Sequence, residues 1–354
     1  MELFRKWQVL DTGNMLSLLF GFHEQLRKGV ELGEKVDIKY FDGFKPENIV
    51  LCGMGGSAIG GDFLRCYLSD ELMIPFSVVR DYNLPSFVSN KTLLIASSYS
   101  GNTEETLSCF TEGIKRGSRI IGIASGGKLR DECGRMGLPF IHIPEGLPPR
   151  AALGYSFTPL IIFLNRLNLI SDKREEIVKA ADFLRENVER FRPELDVNEN
   201  PAKSLALKLH GKLPIICTTT RHFEVVGIRF RGQINENSKM LAYSSVIPEN
   251  NHNELVGWNI LGKLKNLVQP VIVLDKLDHP RNIFRARFFA DVMREKGVEA
   301  IVVETRGETL MERMLSVIQL GDFTSYYLAI LNGIDPKPVR IIDRLKQALA
   351  EYNG

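Results

Sequence analysis

Short apolar runs alternate along the chain with longer segments whose apolar residues recur at helical spacing. Ile49–Cys52, Phe76–Arg80, Thr92–Ala96, Arg119–Ala124 and Pro139–Ile143 are too short for helices and rich in Ile, Leu and Val, so each reads as a strand. Thr103–Arg116 reads as a helix between two of them. Alternation of this kind predicts a parallel sheet covered by crossover helices. After Gly154 the pattern changes. Tyr155–Asn168 reads as a mostly buried helix, and the charged stretch Ser171–Arg192 carries Ile177, Ala181, Leu184 and Val188 at the spacing of one helix face. Strand-like runs return at Leu213–Cys217, Pro270–Leu274 and Ala300–Val303, with a helix expected over Ile283–Lys296. The tail, Gly321–Tyr352, is helical in pattern and broken by Gly and Pro between Asn332 and Pro336. The pattern therefore predicts an α/β chain of two domains of similar design, without a detectable sequence repeat between them. Their expected bounds are 1–155 and 203–354, the second including the terminal helices, with a helical connector over 156–202.

Composition narrows the function classes. A chain of 354 residues, 44% apolar, is long enough for two or three cores. A net charge of +2 argues against a nucleic-acid or other polyanion surface, whereas a small anionic ligand needs only a local site. The five cysteines form no Cys-x-x-Cys pair, and Cys52 and Cys217 lie in strand-like runs as core thiols, which suits a reducing compartment. The N-terminus lacks a signal-peptide pattern. No apolar run read here reaches the ~18–20 residues of a membrane span. The expectation is a cytoplasmic protein with no membrane and no nucleic-acid partner. None of the six histidines pairs at i, i+4 around a glutamate, and no carboxylate cluster accompanies them, so no metal and no cofactor is expected.

Two loops carry the candidate chemistry. Gly53-Met-Gly-Gly-Ser-Ala-Ile-Gly-Gly61 follows a strand and opens a helix, where free amides attract an anion and glycine lets the ligand approach; Gly55, Gly56 and Ser57 are the contact candidates. A tight turn with no ligand would look similar. So would a dinucleotide site, since Gly53-x-Gly55-x-x-Ala58 fits that fingerprint and Asp81 follows the next strand-like run. The second loop, Ser97-Ser-Tyr-Ser-Gly-Asn-Thr-Glu-Glu-Thr106, also runs from strand to helix, with Asn102 or Thr103 as N-cap. It sets Ser98, Ser100 and Thr103 beside a glycine, a hydroxyl-rich receptor for a phosphate monoester that a dinucleotide site does not need.

Ser-x-Ser-Gly-x-Thr paired with an upstream Gly-Gly-Ser resembles the phosphosugar-binding SIS (sugar isomerase) domain. Three later segments sharpen the resemblance: Glu145-Gly-Leu-Pro-Pro-Arg-Ala-Ala-Leu-Gly154, Arg231-Gly-Gln-Ile-Asn-Glu-Asn-Ser-Lys239 and Pro248-Glu-Asn-Asn-His-Asn-Glu-Leu-Val-Gly-Trp258. Together with Tyr327–Pro336 and Lys346 they make the chain similar to the bifunctional phosphoglucose/phosphomannose isomerase family, within the phosphoglucose isomerase superfamily. The resemblance implies two SIS domains, each a parallel sheet flanked by helices, and a homodimer with shared active sites. It also implies a metal-independent interconversion of glucose 6-phosphate and mannose 6-phosphate with fructose 6-phosphate.

Aldose–ketose isomerisation needs a base for a carbon-bound proton, help in opening the sugar ring, and a cation for the enediolate. By resemblance Glu236 is the base and Arg150 the cation, the latter reached through the stiff Pro148-Pro149 pair. His252, from the partner subunit, assists ring opening, a role that suits a side chain able to give and take protons near neutrality. Lys346 contacts substrate oxygens. Without the surrounding motifs, each would read as an ordinary surface residue. Two rival functions keep both loops: a glucose 6-phosphate-only isomerase, and a non-catalytic module that senses a phosphosugar.

Overall fold

The computed structural model describes Phe4 and residues 6–352. Among these residues, nine strands fall into two all-parallel sheets. The first contains β1 (Asn48–Cys52), β2 (Phe76–Val79), β3 (Thr92–Ser97), β4 (Arg119–Ala124) and β5 (Phe140–His142) in the order β2-β1-β3-β4-β5. The second contains β6 (Leu213–Thr219), β7 (Tyr243–Ile247), β8 (Val268–Leu274) and β9 (Ile301–Glu304) in the order β7-β6-β8-β9. In chain order the first helices are α1 (Trp7–Leu10), α2 (Met15–Phe20), α3 (Phe22–Glu34), α4 (Gly55–Tyr67), α5 (Glu104–Lys115), α6 (Gly127–Met136) and α7 (Leu153–Arg166). Then come α8 (Arg174–Asn187), α9 (Pro201–Leu209), α10 (Glu224–Ser238), α11 (Glu254–Gly257), α12 (Pro280–Glu295), α13 (Leu310–Leu331) and α14 (Arg340–Glu351).

Strand alternation divides the cores. In the first sheet Val50, Cys52, Leu94, Ala96 and Ile120 face α5 and α6, where Cys109, Phe110, Leu129 and Cys133 cover them. Their neighbours Ile49, Leu51, Leu93, Ile95 and Ile121 face the other way. They join a core that also takes in Ile216, Val271 and Val273 from the second sheet and residues of α4, α7, α10 and α13. The two inner sheet faces thus share one apolar layer of helices. The outer face of the second sheet is covered by α12 through Phe289 and Met293. The central strands β1, β3 and β8 are buried on both faces, which is why they read as near-continuous apolar runs.

The face of α8 expected from spacing is buried, with Ile177, Ala181, Leu184 and Val188 each at most 3% exposed. It packs against α3 on one side and α13 on the other. Helix α13 opens with a capping box between Thr309 and Glu312. It is long and apolar enough to cross a membrane, but 89% of its apolar window is buried inside the protein. It is a core helix; the reading of apolar runs started this element too late, at Gly321. Helix α14 is the opposite case. It has no buried residue, and Ile341, Leu345 and Leu349 form an exposed apolar stripe.

Candidate active site

In an open parallel sheet, ligands bind outside the carboxyl ends of the strands where the strand order reverses. In the first sheet that point lies between β1 and β3. The loops that leave these two strands are the glycine-rich run into α4 and the Ser-rich run into α5. Neither helix has a side chain capping its first-turn amides, so both N-termini present N–H groups and the positive end of a helix dipole to the same crevice. Thr103 is the N-cap residue of α5, but its hydroxyl is turned elsewhere: Ser98 Oγ lies 2.8 Å from Thr103 Oγ1. Ser98 is buried and Ser100 exposed, the latter accepting the Asn102 amide at 3.2 Å. The loops are stitched together by the Tyr99 amide, which donates to Ser57 Oγ at 2.9 Å. Gly101 has φ +71°, and a Cβ there would lie 1.8 Å from the Gly126 carbonyl oxygen, so only glycine closes this turn.

The first loop also touches the candidate cation. A Cβ on Gly56 would lie 2.6 Å from the carbonyl oxygen of Pro149, in the 3-10 turn Pro149–Ala151 that carries Arg150. The Arg150 side chain is 4% exposed. Its Nε donates to Asn237 Oδ1 at 2.6 Å, and its Nη2 donates to the carbonyl oxygens of Pro336 at 2.9 Å and Lys337 at 2.7 Å. Nη1 faces Glu236 Oε2 at 3.4 Å. Burial pulls the guanidinium below its ordinary range, and the Glu236 carboxylate works against that. Glu236, in the last turn of α10, keeps 34% of its side chain exposed, so its carboxylate is open to a ligand, and Nη1, the Arg150 nitrogen turned towards it, has no other acceptor among the described residues.

Behind Arg150 stands a buried network that the sequence reading missed. Arg229 Nη2 donates to the Arg150 carbonyl at 3.1 Å and to Asp322 Oδ2 at 2.7 Å. Gln233 Nε2 donates to the other Asp322 oxygen at 2.8 Å, and Asn237 Nδ2 donates to Ser325 Oγ at 2.9 Å. Burial raises the Asp322 carboxyl pKa, while Arg229 and Gln233 oppose the rise. A legible signal existed: Arg229, Gln233 and Asn237 recur every four residues, a polar stripe on a helix that must bury that face. Lys239 adds a second grip on the same C-terminal turn. Its Nζ donates to the carbonyls of Asn237, Asp335 and Pro336 at 3.2, 3.0 and 2.9 Å. Burial, then the charge of Arg150, push its amine down to about 8.

The structure therefore brings together Gly56, Ser57, Ser98, Thr103, Arg150 and Glu236, with Gly55 and Ser100 on the same loops. It does not bring His252 or Lys346 into hydrogen-bond or ion-pair contact with that group, among the described residues. His252 is exposed at the end of the 3-10 turn Glu249–His252, and Lys346 is exposed on α14. The Asp81 carboxylate of the dinucleotide alternative accepts the Tyr82 amide at 2.6 Å.

Two sheets of this topology with a paired loop cradle define a double SIS architecture. The C-terminal domain of glucosamine-fructose-6-phosphate aminotransferase from Francisella tularensis superposes with a TM-score of 0.71 at 16% identity, over 92% of this chain and 98% of that one. Residues 198–349 match the bacterial phospho-glucose isomerase C-terminal SIS domain. A bifunctional phosphoglucose/phosphomannose isomerase of Caldicellulosiruptor bescii is 45% identical over 95% of this chain and 99% of its own length. One from Aquifex aeolicus is 36% identical over 86% of this chain and 91% of its own. The chain belongs to the bifunctional phosphoglucose/phosphomannose isomerase family.

Proposed function

We propose that this protein interconverts glucose 6-phosphate and mannose 6-phosphate with fructose 6-phosphate by proton transfer through a cis-enediolate. The observation that carries this reading is the half-open Glu236 carboxylate held beside a buried guanidinium, next to two uncapped helix N-termini. The phosphate sits in the cradle of Gly55, Gly56, Ser57, Ser98, Ser100 and Thr103. Glu236 takes the C2 proton of the open-chain aldose; the electron pair moves through C1 to O1, where Arg150 steadies the charge. The O2 hydroxyl proton passes to O1, and the proton held by Glu236 returns to C1 as O2 becomes the carbonyl oxygen, giving the ketose. Glucose and mannose 6-phosphate differ only at C2 and share this enediolate, so one base serves both where the pocket lets C2 turn.

His252 assists ring opening from the partner subunit, and Lys346 contacts substrate oxygens. Exposure of His252 and of the apolar stripe Ile341, Leu345 and Leu349 on the helix of Lys346 supports a homodimer in which a second copy covers these elements. Five free, buried cysteines support a cytoplasmic location. The domains divide at 1–155, 156–202 and 203–354. The test is a coupled assay offering each aldose 6-phosphate separately in excess chelator. Turnover of both at rates of the same order is expected. Turnover of glucose 6-phosphate alone would cut the reading to the narrower isomerase, and activity lost to chelator and restored by zinc would overturn the mechanism.

A further inference from the structure

Away from this site, a cavity of about 350 Å³ opens between α9, the edge strand β9 and α13. Three cations line it: Arg190, Lys208 and Arg306. A single carboxylate, Glu304, lines it as well, and it lies beyond ion-pair distance of all three, leaving a net excess of positive charge. Among the described residues none of these cations takes part in an ion pair. Arg190 has Asn187 Oδ1 as a side-chain acceptor at 3.2 Å. Burial, and after it the charge of Arg306, pull the Arg190 guanidinium below its ordinary range, while Arg306 and Lys208 are exposed at the rim. Ser204 and the 5% exposed Ser316 add hydroxyls to the wall. Ser316 Oγ accepts the Arg306 amide at 3.0 Å, which anchors the base of the Arg306 side chain.

Like charges gathered in a concave site without a counter-ion cost free energy that a bound anion removes. Guanidiniums in pairs match the planar oxygen pairs of a phosphate group, and the volume falls in the range of small-ligand sites, about 300–1,000 Å³. We infer that this cavity is a second binding site, for a small phosphate-bearing molecule. One wall is α13, the helix whose Asp322 and Ser325 hold Arg229, Gln233 and Asn237 behind Arg150. A ligand here therefore bears on the element that positions the candidate active-site cation.

Pyrophosphate titrated calorimetrically into the Ser98→Ala, Ser100→Ala, Thr103→Ala variant tests the inference, because that background weakens the cradle between α4 and α5. Saturable binding at one site per chain is expected there. Adding Arg190→Gln and Arg306→Gln lowers the affinity at least about tenfold, the loss of one or more hydrogen bonds to a charged group. Lys208→Gln, on an exposed position of α9, weakens it by a smaller factor and guards against a folding artefact, as does an unchanged unfolding midpoint. No saturable binding in the background, or the same affinity after both arginines are replaced, overturns the inference.

Discussion

Glu236 lies 3.4 Å from a guanidinium, a distance at which a pair on a protein surface is worth little. Its partner, however, is already held by three other acceptors, Asn237 Oδ1 and the carbonyls of Pro336 and Lys337. Arg150 therefore keeps its place without help from Glu236, whose carboxylate is left to face a ligand. Replacing Glu236 with Gln should lower turnover by the ~10²–10⁴-fold of a lost general base while KM changes little. Steady-state kinetics on the purified variant checks this; near-normal turnover would remove Glu236 from the mechanism. Spacing could never have joined these two residues, which lie 86 positions apart. Motif resemblance flagged both. It did not flag Arg229, Gln233 and Asp322, because Arg and Asp on amphipathic helices are usually solvated. Their burial arises only when α10 and α13 pack, 93 positions apart for the ion pair itself.

The central strands were the most plainly legible. The six-residue strand β3 is buried throughout and β4 has a single exposed residue, its first, so their apolar runs announced them. Strand β7, Tyr-Ser-Ser-Val-Ile, was missed: it is the edge of its sheet, mostly half-exposed, and mixes polar with apolar residues. The site itself depends on a contact between elements that no pattern reveals, the approach of the α4 N-terminus to the Pro149–Ala151 turn. Gly56→Ala tests that contact. The new Cβ would meet the Pro149 carbonyl oxygen at 2.6 Å, and a backbone atom cannot swing aside as a side-chain tip can. The turn must shift, and Arg150 with it. Overpacking of this kind costs about 1–3 kcal/mol of stability. Misplacement of a catalytic group by an ångström can cost ~10²-fold in rate. The expectation is a folded protein with turnover at least about tenfold lower. Wild-type kcat in the alanine variant would show that the contact does not position Arg150.

At the scale of the whole molecule, the two sheets face each other across one shared layer of helices, and the cradle, Arg150 and Glu236 lie within a single chain. His252 does not meet them there, and the proposed dimer supplies it from the neighbour. That arrangement has a consequence for mixtures. Take one protein with Glu236→Gln and another with His252→Ala, each close to inactive, and let subunits exchange. In a mixed dimer one pocket combines the altered glutamate with the altered histidine, and the other combines two unaltered residues. Random exchange makes about half of all dimers mixed, so about a quarter of all pockets become intact, a consequence of the two-fold symmetry. Activity should climb after mixing towards roughly a quarter of wild type, at the pace of subunit exchange, while either parent alone stays low. The coupled assay follows this directly, with exchange monitored by native mass spectrometry of tagged subunits. If His252 serves a pocket in its own chain, every pocket keeps one defect however the subunits are shuffled. The rate would then hold at the parental average after exchange is complete, and the cross-subunit role of His252 would have to be abandoned.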